Sequence, residues 1–70
     1  MEYVIVIEKA GDGSFSAYVP DLPGCTSCGD SVDELRANIA EAIKLHVESL
    51  RDNGGPVPPA TSMTDKVRAA

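Results

Sequence analysis

The sequence predicts a two-layer α+β domain: a mainly antiparallel sheet of three or four strands with one helix on one face, in the order β-β-β-α with room for a final strand. Three observations predict it. A β-branched and aromatic run opens the chain, and an alternating run follows it across a glycine-rich break. A capped, amphipathic stretch of about twenty residues comes after a short third segment. The chain has 70 residues, enough for one domain. We place the domain at residues 1–59 and treat 60–70 as a tail or a weak final strand.

Each element has its own signal. In residues 2–8, Tyr3, Val4, Ile5, Val6 and Ile7 are all aromatic or β-branched, a strand apolar on both faces. Gly11-Asp12-Gly13 supplies residues that tolerate positive φ, so a hairpin loop follows. Phe15, Ala17 and Val19 then alternate with Ser14, Ser16 and Tyr18 until Pro20, which cannot donate to a central ladder. A three-residue loop sets Ile7 opposite Ala17 and Ile5 opposite Val19. That register gathers Tyr3, Ile5, Ile7, Phe15, Ala17 and Val19 on one face and leaves Val4, Val6 and Tyr18 on the other.

Asp21-Leu22-Pro23-Gly24 is a turn by composition, and Cys25-Thr26-Ser27-Cys28 a short third strand. Ser31-Val32-Asp33-Glu34 matches a capping box, with Asp33 and Glu34 where the helix dipole favours negative charge. The helix is expected from Val32 to Arg51 or Asp52. Val32, Leu35, Ile39, Ala42, Ile43, His46 and Leu50 form its apolar stripe, bordered by Arg36 and Val47. Asn53-Gly54-Gly55 supplies a left-handed C-cap, and Pro56-Val57-Pro58-Pro59 an extended segment leading away from the helix. From Met63, alternation fits a weak strand and a frayed tail equally well.

A net charge of −5, from eleven acidic and six basic side chains, disfavours direct binding to bulk nucleic acid and suits a basic protein partner. The apolar start is too short for a signal peptide core or a transmembrane span, so we expect a cytoplasmic protein with reduced thiols and no membrane association. A domain this small buries only about 60% of its unfolded surface. With Val4, Val6 and Tyr18 uncovered, a homo-oligomer, dimer or larger, is expected through that face.

Chemistry-bearing motifs are sparse. Cys25-x-x-Cys28 has a redox or zinc reading, but residues i and i+3 of an extended segment lie about 10 Å apart on opposite faces. Zinc would also need ligands that His46 alone cannot supply. Ordinary thiols are the favoured reading, and His46 reads as a partly buried helix residue. Asp12, Asp21 and Asp30 could in principle hold Mg²⁺, yet turn and cap duties account for them, as for Asp33 and Glu34. We expect no cofactor, no metal, no catalytic residue and no small-molecule substrate.

The ordered segments resemble a known family. Tyr-Val-Ile-Val-Ile-Glu, Gly-Asp-Gly-Ser-Phe-Ser-Ala-Tyr-Val-Pro-Asp-Leu-Pro-Gly-Cys, Gly-Asp-Ser-Val-Asp-Glu-Leu, Asn38 to His46 and Gly54 to Pro59 together are similar to the HicB-type antitoxins, over residues 3–59. The resemblance implies a partial ribonuclease H-like fold without a working nuclease site. Its first strand centres on Val4-Ile5-Val6, where a nuclease of that fold would need a metal-binding aspartate. It also implies an antitoxin subunit, with no enzymatic activity, that neutralises HicA, a small basic mRNA-cleaving toxin, by masking its RNA-binding face. Relatives commonly form dimers or larger assemblies. Many append a DNA-binding domain after the proline segment, but only eleven residues follow Pro59 here, so operator binding is not expected.

From charge and exposure we place the toxin interface at Asp21, Leu22, Pro23, Asp30, Asp33 and Glu34. Two alternatives stand beside this reading: an orphan structural or sensory module of the same fold, and a degenerate Mg²⁺-dependent nuclease.

Overall fold

A computed structural model describes residues 2–70. The element order is β1 (Val6–Lys9), β2 (Phe15–Tyr18), β3 (Thr26–Gly29) and α1 (Val32–Asp52). The three strands form one antiparallel sheet in the order β1-β2-β3, so the expected β-β-β-α, α+β architecture is present.

The β1–β2 hairpin has the expected three-residue loop, with Ile7 paired to Ala17. The Ala10 N–H donates to the Ser14 carbonyl at 2.8 Å and the Gly13 N–H to the Ala10 carbonyl at 3.1 Å. Gly13 closes the turn at φ 91°, a conformation that costs glycine nothing. The Asp12 carboxylate accepts from the Ser14 N–H at 2.9 Å and from its hydroxyl, so it works inside the turn. β1 starts at Val6 rather than Glu2. In this register Val4 faces Pro20, which has no N–H to continue the ladder.

β2 and β3 are joined by two consecutive β-turns that share Leu22. The Leu22 N–H donates to the Val19 carbonyl and the Cys25 N–H to the Leu22 carbonyl, each with a proline as second residue of the turn. Pro20 and Pro23 pre-set φ at those positions, and Gly24 takes φ 83° as a type II turn requires. This double turn drives Leu22 inward, with no exposed surface, and leaves Pro23 exposed and Asp21 half-buried.

Ser31 caps α1: its backbone is extended and its hydroxyl accepts from the Glu34 N–H at 3.1 Å. The helix ends in a Schellman motif. The Gly55 N–H reaches the Leu50 carbonyl, the Gly54 N–H reaches the Arg51 carbonyl, and Gly54 adopts φ 71°. Leu35 and Ile39 are the buried centre of the apolar stripe and meet Ala17, Val19, Leu22 and Cys25; Ala42, Ile43, Val47 and Leu50 pack around them. Gly29 lets β3 and the first turn of α1 approach closely, because a Cβ there would lie 2.7 Å from the Leu35 backbone nitrogen.

Two packing features go beyond the sequence reading. The face that gathers Tyr3, Ile5, Ile7, Phe15, Ala17 and Val19 is not covered throughout: the helix lies over β3 and β2, so Ile7 remains 40% exposed although it shares the face of Ala17. Residues 56–62 leave the helix as an extended segment and then fold back onto the end of the sheet. The Tyr3 hydroxyl donates to the Pro58 carbonyl at 2.6 Å, and Asp21 holds Thr61 and Ser62. Residues 63–70 follow as an exposed irregular segment with no strand.

Candidate functional site

The acidic groups at the start of α1 form an open surface. Asp30, Asp33 and Glu34 are exposed, at the positive end of the α1 dipole. Pro23 is exposed on the β2–β3 connection. The sequence expectation placed all of these in one partner interface, together with Asp21 and Leu22.

Leu22 leaves that set, because it is fully buried and offers a partner no surface. Asp21 is committed within the chain. Its Oδ2 accepts from the Thr61 N–H at 3.0 Å and the Ser62 N–H at 2.9 Å, while Oδ1 takes the Thr61 hydroxyl at 3.2 Å and the Ser62 hydroxyl at 2.8 Å. Donation from Ser62, through its N–H and then its hydroxyl, holds the Asp21 carboxyl below its ordinary value. The same logic applies at Asp12, where Ser14 lowers the carboxyl's pKa.

The two cysteines are free: Cys25 is buried in the core and Cys28 is exposed. Burial pushes the Cys25 thiol up, which works against thiolate chemistry. Asn38 donates from its side-chain amide to the Cys28 carbonyl at 2.9 Å, tying α1 to β3. His46 is half-buried on the helix. Among the described residues no group of three His, Cys, Asp or Glu side chains is placed to hold a metal ion, and no helix is long and apolar enough to cross a membrane. Val4 and Val6, expected on a self-association face, are half-buried, and Tyr18 beside them is 43% exposed.

Because α1 is offset from β1, an open groove of about 420 Å³ runs between them. Tyr3, Ile5 and Ile7 line one wall, and Val32, Ile39 and Ile43 the other, with Arg36 and Ala40 also lining it. Periodicity found every apolar residue of this groove except Ala40, and placed Arg36 at the stripe's border. It carried no signal for the lateral offset that opens the groove.

A small α+β module with an acidic exposed rim and an apolar groove has the features of a protein-binding subunit. The family model of the HicB-like antitoxins of bacterial toxin–antitoxin systems matches residues 3–70, and the chain belongs to that family. A UPF0150 protein of Synechocystis sp. is 46% identical over 56 residues, 80% of this chain and 71% of that protein. A 14.9 kDa protein from the rep-hol intergenic region of Haemophilus phage HP1 is 43% identical over 58 residues, 83% of this chain but 43% of that longer protein. Among solved structures, a chain of a HicA3 and HicB3 toxin-antitoxin complex superposes with a TM-score of 0.72 at 36% identity, covering 86% of this chain and 70% of that one. Membership of an antitoxin family suggests a role without catalysis.

Proposed function

We propose that this chain is a cytoplasmic antitoxin subunit that binds a small basic, mRNA-cleaving toxin of the HicA type and masks its RNA-binding surface, with no chemistry of its own. The observation that carries this reading is the likeness to a chain of the HicA3–HicB3 complex, within a family of antitoxins. The charge supports it. A chain of net charge −5 attracts a basic partner over the Debye length, about 8 Å at physiological salt, and repels competing RNA.

The interface we propose is the surface of Pro23, Asp30, Asp33 and Glu34. Inhibition is then steric and electrostatic: carboxylates occupy the basic groups that would otherwise grip phosphate, and the body of the domain covers the cleft. The test is a binding titration of a purified HicA-type toxin with the wild type and with an Asp33→Lys/Glu34→Lys variant. These exposed substitutions leave the core untouched. Weaker binding by about tenfold or more in the variant, with affinity falling as salt rises, supports the reading. Binding indifferent to both changes removes this surface from the interface, and no binding by the wild type removes the function.

A further inference from the structure

We infer that the groove between β1 and α1 receives residues 63–70 of a second copy of this chain, laid as an added strand along the free edge of β1. The two sheet edges are unequal. At β3 the Asn38 amide already occupies the Cys28 carbonyl and α1 packs above the strand, whereas β1 pairs with β2 on one side only. An unpaired edge beside an apolar groove is a template for an incoming strand.

Residues 63–70 have the pattern such a strand needs. Met63 is 90% and Val67 89% exposed, with nothing of their own protomer to pack on. Alternation in an extended strand puts Met63, Asp65 and Val67 on one side and Thr64, Lys66 and Arg68 on the other. With the first set turned to the groove, Met63 and Val67 meet Ile5, Ile7, Val32 and Ile43, while Asp65 comes to the wall that holds Arg36. Lys66 and Arg68 then share the opposite sheet face with Glu2 and Glu8 of β1 and its lead-in. Both faces of the strand find the opposite charge. The wider balance agrees: residues 2–62 carry ten of the eleven acidic side chains, and 63–70 carry two basic groups against one acid.

The occupant comes from another copy because Asp21 holds Thr61 and Ser62, and beyond that clamp residues 63–70 stand exposed, off their own groove. Reciprocal exchange closes a two-fold dimer and covers in each protomer the apolar wall that α1 leaves open. This interface is distinct from the Val4, Val6 and Tyr18 face and independent of the toxin-binding reading.

The experiment is light scattering on the full chain with three variants. The wild type is expected as a dimer at micromolar concentration. Met63→Asp/Val67→Asp should halve the solution mass with an unchanged circular-dichroism spectrum, since both side chains are exposed in the protomer. Arg36→Asp should weaken the dimer, and Arg36→Asp/Asp65→Arg should restore it. A monomeric wild type, or a dimer indifferent to Met63→Asp/Val67→Asp, overturns the proposal. A second measurement, in a Cys28→Ser background that removes the exposed native thiol, mixes differently tagged Ile7→Cys and Val67→Cys chains under oxidising conditions. A disulfide between the two tags is expected. In an Ile7→Cys/Val67→Cys chain, a disulfide confined to single chains would show docking of the segment on its own protomer and also overturn it.

Discussion

Replacing Gly29 by alanine adds one carbon at the tightest approach in the fold. The new Cβ would lie 2.7 Å from the Leu35 nitrogen, 3.0 Å from its Cα and 3.2 Å from the Glu34 carbonyl carbon. All three are main-chain atoms, so no side chain can swing aside. To reach an ordinary contact of 3.4 Å, β3 and α1 must separate by about 0.7 Å at the tightest point. Neither gives easily: β3 is laddered to β2, and the first turn of α1 is held by the Ser31 cap and by Leu35 in the core. Overpacking costs about 1–3 kcal/mol, and backbone against backbone sits at the upper end. A domain of this size has roughly 4–10 kcal/mol in all. At about 4–8 °C per kcal/mol, Gly29→Ala should lower Tm by about 10–20 °C in a circular-dichroism melt. The control is Gly11→Ala, whose Cβ meets nothing within 4 Å and whose φ is not positive. That variant should be neutral or slightly stabilising. Equal melting of the two alanine variants would refute the close-approach argument.

Other outcomes follow from the same geometry. Leu22→Ala removes a side chain with no exposed surface and should destabilise by about 2–5 kcal/mol in urea titrations. Tyr3→Phe loses the bond to the Pro58 carbonyl and should cost about 0.5–1.5 kcal/mol, with faster proteolysis of residues 56–62. The Asp21 carboxyl is depressed in the folded chain, so its contribution is fully present above its ordinary value of 3.8 and is lost as pH falls through the lower folded value. The Thr61 and Ser62 amides should therefore be protected from exchange at neutral pH and lose protection only in strong acid, whereas Asp21→Ala loses it at neutral pH.

Local signals carried most of the architecture. Gly11-Asp12-Gly13 set the hairpin register, the Ser31 hydroxyl set the start of α1, and Asn53-Gly54-Gly55 its end. In each case the determinant lies within a few residues of the structure it makes. What the sequence did not disclose joins residues far apart along the chain: Tyr3 with Pro58, and Asp21 with Thr61 and Ser62. A carboxylate in a proline-rich turn looks alike whether it faces solvent, a partner or a strap from the far end. The exposure of Ile7 had no local cause either, since it depends on where α1 sits across the sheet. For the candidate site, charge located the acidic start of α1, while the inward rotation of Leu22 arises from two β-turns sharing one residue.

On the proposed function, this acidic domain silences a basic toxin by covering it. The direct measurement is RNA cleavage by a purified HicA-type toxin as this chain is titrated in. Cleavage should fall to background at a stoichiometric amount of this chain, with more Asp33→Lys/Glu34→Lys protein needed for the same inhibition. Undiminished cleavage at saturating wild-type chain would contradict it.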